Sequence, residues 1–181
     1  DSVRKALLDN IDKAVAYCDL KGMPAAREAI CNYHKEKGIR GITPDDVFIG
    51  NGVSELVTMA LTAFLNFGDE ILIPAPDYSL WTNSVYMAGA KPVHYICDEK
   101  SLWYPDINDI KSKITSKTKA IVIINPNNPT GALYPEELLE DIIAVAREHK
   151  LVVFADEIYD RLVMDGLRHI SVASLCDDLL C

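Results

Sequence analysis

The stretch KAIVIINPNNPTG, residues 119–131, decides the fold. Its first half, Lys119 to Ile124, reads as a strand, and from Ala120 to Ile124 it is a continuous run of apolar, mostly β-branched residues with no polar alternation. A strand that reads this way is covered on both faces, as in a parallel sheet packed between helices. Its second half is Asn125-Pro126-Asn127-Asn128-Pro129-Thr130-Gly131. Prolines fix the backbone and asparagines tolerate turn conformations. A plain loop needs no such rigidity, whereas a positioned amide does.

The same pattern recurs on either side. Further strands are expected at Val47–Ile49, Glu70–Ile73, Lys91–Ile96 and Leu151–Ala155, the last again continuously apolar. Amphipathic helices lie between them. Leu56, Ala60, Ala63 and Phe64 recur at helical spacing after Ser54, with Gly68 as a stop. A second helix opens near Pro135 and carries Leu139, Ile142, Ile143 and Ala146 on one face. A third runs from about Ala25 to Lys37 and ends at Gly38, and residues 101–109 read as loop. Strands alternating with helices predict an α/β fold of three αβα layers around a mainly parallel sheet.

Composition narrows the function classes. The chain has 181 residues, which fits one domain with a real core. At 49% hydrophobic residues it is not disordered. A net charge of -9 repels nucleic acid and anionic membrane, so neither is expected as a partner. No apolar run approaches the roughly 18 residues that span a bilayer, and no basic and apolar leader opens the sequence. The five cysteines, at 18, 31, 97, 176 and 181, are odd in number and form no CxxC pair. Reduced thiols in the cytoplasm explain them better than a disulfide framework or a zinc site. The four histidines have no i,i+4 partner, so no metal is expected. The sequence begins inside a helical pattern and stops on Leu179-Leu180-Cys181 without a polar tail, which reads as a cut.

In open α/β sheets ligands collect at the carboxyl ends of the strands. Four unusual segments fall there. Gly50-Asn51-Gly52-Val53-Ser54 joins a strand to a helix, and free N–H groups at a helix N-terminus attract phosphate. The plainer reading is a tight turn with Ser54 as N-cap. A dinucleotide site would need a third glycine where Glu55 stands, and no P-loop lysine occurs. Tyr78, after Pro74 and Pro76, could stack on a flat heterocycle or simply pack in the core. Asn125 to Gly131 is the third segment. Asp156 opens the fourth, Asp156-Glu157-Ile158-Tyr159, at the end of an apolar strand. A carboxylate there loses hydration and costs several kcal/mol unless it meets a cation or donors. The partner is either a distant arginine or the protonated ring nitrogen of a cofactor.

Asn125-Pro126-Asn127-Asn128-Pro129-Thr130-Gly131 followed by Asp156-Glu157-Ile158-Tyr159 resembles the fold-type I pyridoxal-phosphate (PLP) aminotransferases. The match also takes in Tyr17-Cys18-Asp19, Ala26-Arg27-Glu28-Ala29-Ile30, Pro74 to Trp81 and Val93 to Glu99, and is strongest to the bacterial alanine aminotransferase branch. The resemblance implies a PLP-binding large domain over residues 31–181, preceded by an arm and linker helix over 1–30. It implies exchange of amino groups between alanine and a 2-oxo acid such as 2-oxoglutarate, in a homodimer. Backbone groups of Gly52, Val53 and Ser54 would hold the cofactor phosphate. Tyr78 would stack on the ring, Asn128 and Tyr159 would donate to the ring hydroxyl oxygen, and Asp156 would pair with the ring nitrogen. Tyr17 would reach the phosphate of the neighbouring protomer. One departure stands out: the family's lysine that anchors the cofactor lies beyond the Asp-Glu-Ile-Tyr segment, and no lysine follows Lys150. The resemblance therefore implies an inactive fragment. Two alternatives stay open: another enzyme on the same fold, such as a C–S lyase, and a phosphometabolite-binding α/β module without PLP.

Overall fold

A computed structural model describes residues 1–14 and 17–178. Its five strands are β1 (Glu70–Ala75), β2 (Lys91–Asp98), β3 (Tyr104–Pro105), β4 (Thr118–Ile124) and β5 (Val152–Asp156). They lie in the order β3-β2-β1-β4-β5. β1 pairs in parallel with β2 and β4, β4 pairs in parallel with β5, and β3 alone runs antiparallel. The α helices are α1 (Ser2–Asn10), α2 (Pro24–Glu36), α3 (Val53–Phe64), α4 (Leu80–Met87), α5 (Ile107–Lys113) and α6 (Glu136–His149).

Strand periodicity divides the core into two layers. Ile71, Ile73, Ala120, Val122 and Ile124 face α3 and α4 and meet Val57, Leu61, Trp81 and Val85. Leu72, Ile121, Ile123 and Val153 face the opposite way and meet Ile110 of α5 and Leu139, Ile142, Ile143 and Ala146 of α6. The expected three-layer αβα fold with a mainly parallel sheet is what forms. Helix α6 fits its sequence at both ends: Glu136 and Glu137 occupy the positive first turn, Arg147 and His149 the negative last one.

Three local expectations are corrected. Val47–Ile49 forms no strand: the Ile49 N–H meets the Lys21 carbonyl at 2.9 Å, but Phe48 and Ile49 stay exposed beside no sheet neighbour. Residues 101–109 are not all loop, because β3 and the start of α5 fall there. Asp106 caps α5 by accepting from the N–H groups of Asn108 and Asp109. Helix α3 forms, but its buried residues are Val57 and Leu61; of the face chosen from spacing, Leu56 is half-buried and Phe64 packs edge-on against Phe154, while Ala60 and Ala63 stay exposed. The helix is apolar on both sides, and periodicity alone could not choose between them.

Candidate active site

Parallel pairing brings the strand ends to one edge of the sheet. Ile124 at the end of β4 lies opposite Asp156 at the end of β5. The ladder runs one bond further, from the Asn125 N–H to the Asp156 carbonyl at 2.9 Å. The turn into α3 and the exit of β1 open on the same edge. The result is a cavity of about 290 Å3 lined by Val53, Ser54, Tyr78, Ile124, Asn128, Asp156, Ile158 and Tyr159. Six of the eight residues singled out from sequence thus share one cavity. Gly52 adjoins it as the N-cap of α3. Tyr17 is fully exposed, 107% relative to the free residue, and takes no part in the cavity wall of its own chain.

The mouth of α3 is built for close approach. Gly52 has φ 83° and ψ 171°, a conformation open almost solely to glycine. A Cβ at Gly52 would meet nothing within 4 Å, so the space there is open. A Cβ at Gly50, in contrast, would come within 2.7 Å of the Leu56 side chain. The helix cap is Gly52, not Ser54, which removes the plainer reading of that serine. No side chain caps the helix, so its first N–H groups remain available to an acceptor. The Glu55 carboxylate reaches back to the Asn51 N–H at 2.5 Å and holds the turn.

The Asn125–Gly131 loop is braced from within. Asn127 Oδ1 accepts from the Thr130 N–H and hydroxyl at 3.2 and 2.9 Å, and Asn125 Oδ1 accepts from the Tyr134 N–H at 2.9 Å. The Oδ1 atoms of Asn125 and Asn127 are therefore engaged in holding the loop, and Asn128 is left on the cavity wall. Beneath lie Cys97 and Tyr134. Burial pushes the Cys97 thiol up to about 11 and, with Cys97 beside it, drives the Tyr134 phenol well above its usual range. Both stay neutral and serve as packing.

Asp156 is 8% exposed. Its donors are the Trp81 indole N–H, 2.9 Å from Oδ2, and the Ile158 N–H, 3.4 Å from Oδ1. No lysine, arginine or histidine pairs with it among the described residues. The distant-arginine reading therefore has no partner here, and a buried carboxylate faces the cavity without a cation. Trp81, Ile124 and Ile158 belong to the site although sequence reasoning did not select them. For Trp81 the available signal was weak: it lies three residues after Tyr78, one helical turn along.

These features fit PLP. An open glycine-capped helix mouth suits a phosphate. An aromatic ring, an amide and a phenol suit a hydroxylated heterocycle, and an unpaired buried carboxylate suits a protonated ring nitrogen.

Comparison with known proteins agrees. The family model of aminotransferase class I and II matches residues 1–180. The chain therefore belongs to the class I and II aminotransferases, a family of PLP-dependent transaminases. It is 56% identical over 180 residues to the glutamate-pyruvate aminotransferase AlaA of Haemophilus influenzae, covering 99% of this chain and 45% of the relative. It is 50% identical over 182 residues to an alanine aminotransferase of Mycobacterium bovis, covering 100% of this chain and 42% of the relative. The crystal structure of an aminotransferase from Escherichia coli superposes with a TM-score of 0.96 at 52% identity, over 98% of this chain and 44% of that one. An alanine aminotransferase from Pyrococcus furiosus gives 0.92 at 45% identity, over 97% and 45%. The chain thus spans less than half the length of the relatives it matches.

Proposed function

We propose that this chain is the cofactor-cradling part of a PLP aminotransferase that exchanges amino groups between alanine and 2-oxoglutarate, and that it is inactive without the rest of that enzyme. The observation that carries the reading is the single cavity uniting Val53, Ser54, Tyr78, Asn128, Asp156 and Tyr159. The substrates follow from the relatives named as glutamate-pyruvate and alanine aminotransferases.

Each residue then has one task. The Gly52, Val53 and Ser54 backbone binds the phosphate. Tyr78 stacks on the ring, and Asn128 and Tyr159 orient its hydroxyl oxygen. Asp156 holds the proton on the ring nitrogen. When bound, PLP supplies a positively charged ring that draws electrons from the substrate α-carbon. The chain has no lysine after Lys150 to move a proton at that carbon, so it orients the cofactor without completing turnover. Residues 1–30 serve as arm and linker ahead of the PLP-binding domain. The absence of any buried residue in α1 supports that reading. The enzyme works as a cytoplasmic homodimer in which Tyr17 reaches the partner's phosphate, and its full exposure here supports that role.

The test is an absorbance titration of the isolated chain with PLP, alongside a coupled assay with alanine and 2-oxoglutarate. The expected result is a bound-cofactor spectrum without turnover. No spectral change removes the PLP reading, and turnover by the pure chain removes the claim of inactivity.

A further inference from the structure

Phe154 and Asp156 are two residues apart on β5, so their side chains emerge on the same side of the strand. Both touch Trp81. The Phe154 and Trp81 rings lie with centroids 5.8 Å apart at 55°, and Phe64 packs edge-on against Phe154 at 5.8 Å. Trp81 is only 4% exposed. Its ring is thus gripped by the strand's aromatic residue, and its one donor, Nε1–H, meets the strand's carboxylate at 2.9 Å. Packing and hydrogen bond come from neighbouring positions of one strand, so the indole cannot turn without losing both.

We infer that Trp81 is a positioning residue for Asp156, fixing which carboxylate oxygen faces the cavity. The inference rests on the reading of Asp156 as partner of the cofactor ring nitrogen. Trp81 occupies Oδ2, and Oδ1 receives only the long 3.4 Å contact from the Ile158 N–H. Oδ1 therefore keeps acceptor capacity for a donor in the cavity. A hydrogen bond from a neutral donor to a carboxylate is of the strong, charge-assisted kind. It holds the side chain in one rotamer without introducing a cation that would compete for the same charge.

The test uses the intact apoenzyme and two ligands: PLP and its 1-deaza analogue, in which C–H replaces the ring nitrogen. The wild-type protein is expected to prefer PLP. Trp81→Phe keeps a ring against Phe154 but removes the N–H, and should cut that preference about tenfold while leaving deaza affinity near wild type. Trp81→His retains a ring donor and should keep most of the preference. It also serves as the deciding variant if Trp81→Phe does not fold. Equal loss of both affinities in Trp81→Phe, an unchanged preference in it, or a lost preference in Trp81→His overturns the positioning role. A wild-type protein without any preference removes the Asp156 reading itself, and the inference with it.

Discussion

The hydroxyl of Tyr33, on α2, lies 2.5 Å from Oδ2 of Asp160, 127 residues further along the chain. Lys37 forms an ion pair with the same Asp160 and lies 3.7 Å from Glu157. The Arg161 guanidinium stands over the Tyr33 ring at 4.4 Å. Glu157 in turn accepts from the Ser171 hydroxyl at 2.8 Å and the Val172 N–H at 2.7 Å. The cluster clamps α2 to the segment that follows β5, directly behind Asp156.

The clamp makes stability depend on pH. Burial and the nearby Lys37 hold His34 below its usual 6.5, against the opposing pull of Glu157 and Asp160. A histidine with a lowered folded value binds protons more readily when unfolded, so stability falls as pH drops below about 6.5. Burial of Asp160 opposes its charge, but Lys37 and Tyr33 outweigh that and hold it below 3.8. Its contribution is present above 3.8 and is lost as pH falls through the folded value. Melting temperatures should therefore decline in two acid steps. His34→Gln is expected to abolish the upper step only; an unchanged upper step in that variant assigns it elsewhere.

Gly52→Ala should destabilise the turn into α3. The space is open, so the cost is backbone strain of about 1–3 kcal/mol and not a clash. Denaturant unfolding of the variant reads it directly. A loss below about 0.5 kcal/mol would mean that the turn relaxes into an ordinary conformation.

Much of this was legible in the sequence. The runs at Ala120–Ile124 and Leu151–Ala155 announced buried parallel strands, because no polar residue interrupts them. Asp156 was conspicuous as a charge at the end of an apolar strand, and the Asn125–Gly131 string as a stiffened turn. What the sequence could not convey depends on tertiary partners. Val47–Ile49 has strand composition but no neighbouring strand. The core face of α3 depends on which side meets the sheet. The Trp81 donor reaches Asp156 across 75 positions, a pairing that no local pattern encodes.

Tyr17 is exposed and lines no part of its own chain's cavity, and under the proposed function it serves the site of the partner subunit. Mixing intact subunits that carry Tyr17→Ala with subunits that carry Asp156→Ala should restore activity. Each heterodimer then holds one site with both residues native. Failure of the mixture to exceed the two parents, with heterodimers verified, would place Tyr17 in its own chain's site.

Under the proposed function, Asp156 serves the cofactor and not the fold. Asp156→Asn in the intact enzyme keeps the size and an acceptor for Trp81 but removes the charge. Losing one member of a buried ion pair costs roughly 3–5 kcal/mol. At about 1.4 kcal/mol per tenfold, that is on the order of a hundred- to several-thousand-fold in turnover. The loss should fall on kcat, because the charge matters most when electrons leave the substrate carbon. Turnover and melting temperature measured on the same Asp156→Asn protein decide the matter. The expected result is a collapse of kcat with a melting temperature close to wild type; near-normal kcat with a lowered melting temperature would contradict a cofactor role for Asp156.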